Sequence, residues 1–193
     1  MHQFLVGQEK EIVSEIKAWS KHALEKKSKE FNGLPPCPYA KKAWQDDKVS
    51  VIFKHEPDNY QDICQVISTW DDAVDLVIVV DTAFQPNPDD FHEYLDGLNE
   101  AIANGFFINR DAWLMGFHPF QDPNELIDDG SFDPIVDTEY AMIFIQRLTK
   151  VQEAAQKIAK LGYYDNYFGS YDAAEIYEKR NELHRRLSNG NES

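Results

Sequence analysis

Few side chains in this sequence can move a proton or make a bond near neutral pH, and the two cysteines and six histidines are the first to consider. Cys37 stands in "NGLPPCPYAKKAW", residues 32–44, where Asn32 and Gly33 suit a helix stop, Pro35 and Pro36 a turn, and Pro38 the first turn of a new helix. A thiol at that helix start would sit among free backbone N–H groups and the positive end of the helix dipole, both of which favour thiolate. Lys41 and Lys42, one turn further on, add positive charge and would offer cations to a ligand. The competing reading is a cysteine buried as a small hydrophobe in a proline-ordered loop. Cys64 is the contrast. In "NYQDICQVISTW" it aligns with Tyr60, Ile63, Ile67 and Trp70 on one apolar face, which makes it an inert core residue.

His118 ends the apolar run "AWLMGFHP" just before a proline that cannot extend a ladder, and strand ends next to loops are where α/β proteins place functional groups. It is the acid or base candidate, set against a hydrogen-bonded strand-end histidine as the plain alternative. His92 falls on the polar part of a helix, His55 starts a loop, and His2, His22 and His184 read as surface residues, none with a partner nearby in sequence. Arg147 closes the run "MIFIQRL" and could bind a carboxylate or phosphate, although a salt bridge to one of the many acids is the simpler role. The carboxylates of "DDGSFDPIVDTE" lack calcium-loop spacing and read as a solvated loop. "YYDNYFGSY" is either an aromatic binding platform or a set of rings packed on the core.

The elements that must position these groups follow from periodicity. An amphipathic helix runs from about Gly7 to Glu30 with Ile12, Ile16, Trp19, Ala23 and Leu24 on one face, and "PYAKKAW" makes a short second helix from Pro38. "KVSVIFKH" alternates as a strand, "NYQDICQVISTW" returns to helical spacing, and "AVDLVIVVDT" has the continuous apolar run of a strand buried on both faces, a β-α-β unit. A helix from Asp89 to Asn104, strands at "AWLMGFHP" and "YAMIFIQRL", and a long acidic loop between those strands follow. Thr149 suits an N-cap and Gly162 a stop for the next helix, and "YDAAEIYEKRNELHRRL" forms the last. The expected fold is α/β, or α+β, with a small sheet of about four strands flanked by helices in the order ααβαβαββαα. One domain is expected over 1–193, with a helical N-terminal segment at 7–44, a sheet region at 48–148 and C-terminal helices at 149–188.

The formal charge of −15 argues against nucleic acid as a partner. Residues 1–54 hold ten lysines and seven acids, a net +3, so the remainder carries −18 and the basic excess surrounds Cys37. No apolar run suits a signal peptide or a membrane span, so a cytoplasmic location with two free thiols is expected. No Cys-x-x-Cys, His-x-His or His-Glu-x-x-His pair supplies a metal nucleus, no metal site is expected, and no cofactor is named by these residues.

The Cys-Pro-Tyr-Ala box at 37–40 and the Phe-His-Pro box at 117–119, with Trp19, Asp81-Thr82 and Phe91, resemble a family of uncharacterised bacterial proteins that carries a Cys-Pro-Phe-Ala box and a later Phe-His-Pro strand end. The resemblance spans roughly residues 10–150 and implies that Cys37 and His118 share a site, with Arg147 in a strand similar to the family's closing "LLR" segment. After His118 the family has Asn-Arg and Pro-Tyr-Pro stretches where this chain has its acidic loop. Two functions of different class are expected. One is a small thiol-dependent enzyme with Cys37 as nucleophile or redox thiol and His118 as its proton partner, acting on an unidentified small molecule. The other is a non-enzymatic binding or assembly protein that presents an acidic surface and a tyrosine-rich C-terminal face to a protein partner.

Overall fold

The structure is a computed structural model that describes residues 2–56, 61–84, 87–106, 111–124, 126–128, 130–166 and 173–190. In chain order the elements are α1 (His2–Trp19) continued by a π-helical segment (Ser20–Leu24), α2 (Ala40–Gln45), β1 (Val49–Lys54), α3 (Gln61–Thr69), β2 (Leu76–Asp81), α4 (Pro88–Ala103), β3 (Trp113–Phe117), β4 (Ala141–Gln146), α5 (Leu148–Ala159) and α6 (Ala173–Gly190). The strands form one mixed sheet in the order β1-β2-β4-β3, with β1 parallel to β2 and β4 antiparallel to both its neighbours. This is the expected α/β class. β1, β2 and β3 therefore run the same way, and their C-terminal ends share one edge.

Alternation along each strand divides the core into two layers. Ile52, Val77, Val79, Leu114, Ala141, Ile143 and Ile145 face α3 and α4, which supply Ile63, Ile67, Phe91, Leu95 and Ile102. Val49, Val51, Phe53, Ile78, Val80, Met142 and Phe144 face α1, which supplies Ile12, Ile16 and Trp19. The central strand β2 is buried on both faces, which is why its sequence is an unbroken apolar run. On the edge strand β3, Asn99 of α4 satisfies Leu114 in both directions, donating to its carbonyl at 2.9 Å and accepting from its N–H at 2.8 Å. α4 also comes so close at Gly116 that a Cβ there would overlap Phe91 and stand 2.5 Å from Leu95 Cδ1.

Several helix ends differ from the expectation, beginning with α1, which starts at His2 rather than near Gly7. The first helix stops at Leu24 through the π-helical segment, whose Ser20 and Ala23 are both buried. Asn32 and Gly33, at φ 53° and 78°, belong to a separate turn closed by the Gly33 N–H on the Ser28 carbonyl. α2 starts at Ala40, two residues later than Pro38 suggests. Thr149 does not cap α5: the helix begins at Leu148, and the Thr149 N–H donates to the Asp111 carboxylate at 2.8 Å, a cap supplied from before β3. Gly162, at φ 75°, follows that helix as expected.

The described part of the long loop before β4 holds no helix or strand and is fastened to α1 by Glu15. The buried carboxylate accepts the N–H groups of Ile135 and Val136 and the Tyr140 hydroxyl, the last two at 2.7 and 2.6 Å. α6 is tied to α4 by the Lys179–Asp96 and Arg186–Glu100 ion pairs. No described helix is long and apolar enough to cross a membrane.

Candidate functional site at the C-terminal edge of the sheet

Cys37 is anchored to the segment that follows α1, and His118 packs against α4. The Cys37 N–H donates to the Leu24 carbonyl at 3.0 Å, fixing the residue against the end of the π-helical segment. Burial pushes its thiol pKa up, the nearby Glu25 carboxylate adds to the rise, and the N–H groups of Tyr39 and Ala40 pull the other way without reversing it. The expected thiolate is thus not favoured: although Cys37 as a whole is only half-buried, the desolvation of its thiol outweighs the two backbone N–H groups. Neither lysine is among the groups acting on the thiol. Lys41 is exposed, and Lys42 pairs with Asp46 at 2.9 Å, a bond that raises its pKa.

His118 is 1% exposed and lies on the α4 side, with the rings of Phe84, Phe91 and Phe120 centred 5.0, 5.6 and 5.6 Å from its own. Its Nδ1 accepts the Phe120 N–H at 3.2 Å. His92 meets the side chain of Gln121, which also accepts the His118 N–H. Arg147 is at the opposite edge of the sheet, stacked 4.0 Å above Trp70 and paired with Asp72 at 3.0 Å, the salt bridge that is the simpler of its two roles. Cys64 is half-buried beside the fully buried Ile63 and Ile67, while Tyr60 lies outside the described residues. Tyr163 and Tyr164 pack into the core near Phe31, and residues 167–172 of the tyrosine-rich segment also lie outside them.

The structure gathers a different set of groups where β1 and β2 end. Lys54 and Asp81 are paired by strand register, 5% and 0% exposed, with Nζ 3.3 Å from Oδ2. Lys54 Nζ also donates to the Glu56 carbonyl at 2.6 Å, and Asp81 Oδ1 accepts the Ala83 N–H at 2.9 Å. The next residue of each strand leaves the ladder toward α1. His55 Nδ1 is 3.0 Å from Thr82 Oγ1, and His55 Nε2 is 3.0 Å from Glu9 Oε1. Glu9 precedes Ile12 and Ile16 on the stripe of α1 that packs on the sheet, so the same spacing that buries those isoleucines brings the carboxylate to the edge.

With the ring proton on Nε2, facing the Glu9 carboxylate, Nδ1 can accept the Thr82 hydroxyl. The single hydroxyl proton has the Lys54 carbonyl, at 3.2 Å, as a competing acceptor, and reaches Nδ1 when the hydroxyl rotates away from it. The hydroxyl–imidazole–carboxylate chain lines a cavity of about 290 Å³ together with Gln8, Ile12 and Thr138, with His55 and Glu9 side chains 37% and 33% exposed. Such a chain can take a proton from a hydroxyl and return it to a leaving group.

Sequence reasoning read His55 as the start of a loop and Thr82 only as part of a strand-end dipeptide; it did not single out Glu9. The signal that could have found the site is a charge at the end of each strand of one β-α-β unit, Lys54 and Asp81, since parallel neighbours bring such ends together. Among the described residues no group of three or more His, Cys, Asp or Glu side chains is gathered closely enough to hold a metal ion. Comparison of the chain with protein-family models, curated proteins and solved structures finds no match in any of the three.

Proposed function

We propose that the chain is an enzyme acting on a small polar molecule at this edge of the sheet, with the Thr82 hydroxyl as nucleophile and His55 as the base that takes its proton. The observation that carries the reading is the pair of 3.0 Å hydrogen bonds on the two ring nitrogens of His55, one to Thr82 and one to Glu9, in the wall of a cavity. In an acyl transfer the Thr82 oxygen bonds to the substrate carbonyl carbon while its proton passes to His55 Nδ1. The same proton then goes to the leaving group as the bond to it breaks. A water molecule repeats the exchange and frees Thr82. A cavity of about 290 Å³ suits a small substrate.

Cys37 and His118 take no part in this reading, because burial favours the protonated form of the thiol and the Nδ1 of His118 accepts the Phe120 N–H. Among the described residues the binding-protein alternative has less support, since Tyr163 and Tyr164 are buried rather than presented. p-Nitrophenyl acetate is the probe. His55→Gln and Thr82→Val are expected to lower kcat/KM by about 100-fold or more, and Cys37→Ala to leave it unchanged. Rapid-quench mass spectrometry should find the acetyl group on the peptide carrying Thr82. Turnover no faster than that of free imidazole, or unaffected by His55→Gln, would sink the reading.

A further inference from the structure

We propose that the buried Lys54–Asp81 ion pair is the positioning device of this site, holding His55 and Thr82 at hydrogen-bond distance without itself touching the reacting atoms. The inference rests on the reading of His55 and Thr82 above. Its ground is the pattern of bonds. Lys54 Nζ reaches forward to the Glu56 carbonyl, closing a loop of backbone around His55. Asp81 Oδ1 reaches forward to the Ala83 N–H, closing the equivalent loop around Thr82. The ion pair joins the two loops, and the Thr82 N–H adds a further tie to the Lys54 carbonyl at 3.1 Å. Each partner thus brackets one member of the proton relay, and the pair sets the distance between the brackets.

Stability alone is a poor account of these two charges. Removing an ammonium and a carboxylate from water is costly, and packed apolar side chains of similar volume commonly stabilise a core as well or better. What apolar residues cannot supply is direction: each bond here fixes a backbone atom next to a reacting side chain. A displacement of about 1 Å at such a site can cost about 100-fold in rate, so small losses of orientation are legible in kcat.

The test is the double variant Lys54→Met/Asp81→Leu, which removes both charges of the pair together, backed by Lys54→Met/Asp81→Asn, whose amide oxygen can still accept the Ala83 N–H. Long-range ¹H–¹⁵N spectra of the His55 ring are the first readout. The unaltered chain is expected to show a single Nε2–H tautomer with Nδ1 accepting a hydrogen bond, and the Met/Leu variant a mixture of tautomers. The Met/Asn variant should release His55 while keeping the Thr82 turn. The second readout is p-nitrophenyl acetate turnover, where kcat should fall by about 10- to 100-fold with KM within about twofold. A folded double variant with an unaltered His55 spectrum and unaltered kcat overturns the inference. If the unaltered chain shows no His55-dependent turnover, the acyl-transfer reading fails by itself, and the tautomer spectra still decide what the ion pair does.

Discussion

Cys37 shows how placement decides the chemistry of a residue type. A helix N-terminus contributes about 0.3–1 kcal/mol toward an anion, whereas burial can move a pKa by several units in the opposite direction. Here burial leads, and the Glu25 carboxylate works with it. In a Cys64→Ala background, so that only Cys37 reports, reaction with a water-soluble disulfide reagent is expected to be slow at pH 7. It should accelerate only above the ordinary thiol value of 9.0, because the raised pKa keeps the thiol protonated to higher pH. Fast modification at pH 7 would contradict the structure. His118 makes a similar point. A strand-end histidine invites a catalytic reading, but its ring is enclosed by three phenylalanines and its Nδ1 is committed to a backbone N–H two residues on.

Elements were more legible than contacts between them. The order of helices and strands follows from period and punctuation, and β2 announces its double burial by composition. The insertion of β4 between β2 and β3 was not legible, because strand order depends on pairing across segments far apart in sequence. The same holds for the cap of α5, which comes from Asp111 rather than Thr149, and for Glu9, which reaches His55 only because α1 lies across the sheet. The site was missed for that reason: its three residues come from α1, from the end of β1 and from the end of β2, and no window of sequence holds them together. The packing of α4 on β3 gives a direct test at this scale. Gly116→Ala would press a methyl group into Phe91 and Leu95, an overpacking expected to cost about 1–3 kcal/mol and to lower the thermal midpoint by several degrees. An unchanged midpoint would mean that α4 can give way, contrary to the two hydrogen bonds exchanged between Asn99 and Leu114.

At the scale of the whole molecule, one class of group ties stability to alkaline pH. Burial comes first among the causes that raise Cys37, Tyr140 and Tyr164, and at Tyr140 the hydrogen bond to Glu15 and that carboxylate's charge add to it. Each is favoured as its protonated form in the folded chain. Their contribution is therefore full below the unfolded pKa values and is lost as pH rises toward and through the folded ones. The thermal midpoint is expected to hold to about pH 8 and to fall progressively above it, most steeply beyond about pH 10 where tyrosine begins to ionise when unfolded. Tyr140→Phe should flatten the upper part of that decline; a decline of the same size in the variant would mean that other groups set it. The position of β4 has a further consequence, in time rather than in space. β1, β2 and β3 all emerge from the ribosome before β4, yet β3 pairs only with β4, so before it arrives the only strand pair that can form is β1 with β2, backed by α1 and α3. Sheet assembly must wait for residues 141–146 to enter the gap between β2 and β3, zipping both sides in one late step. Until then the apolar edge of β2 stands open, and the nascent chain is vulnerable to wrong partners.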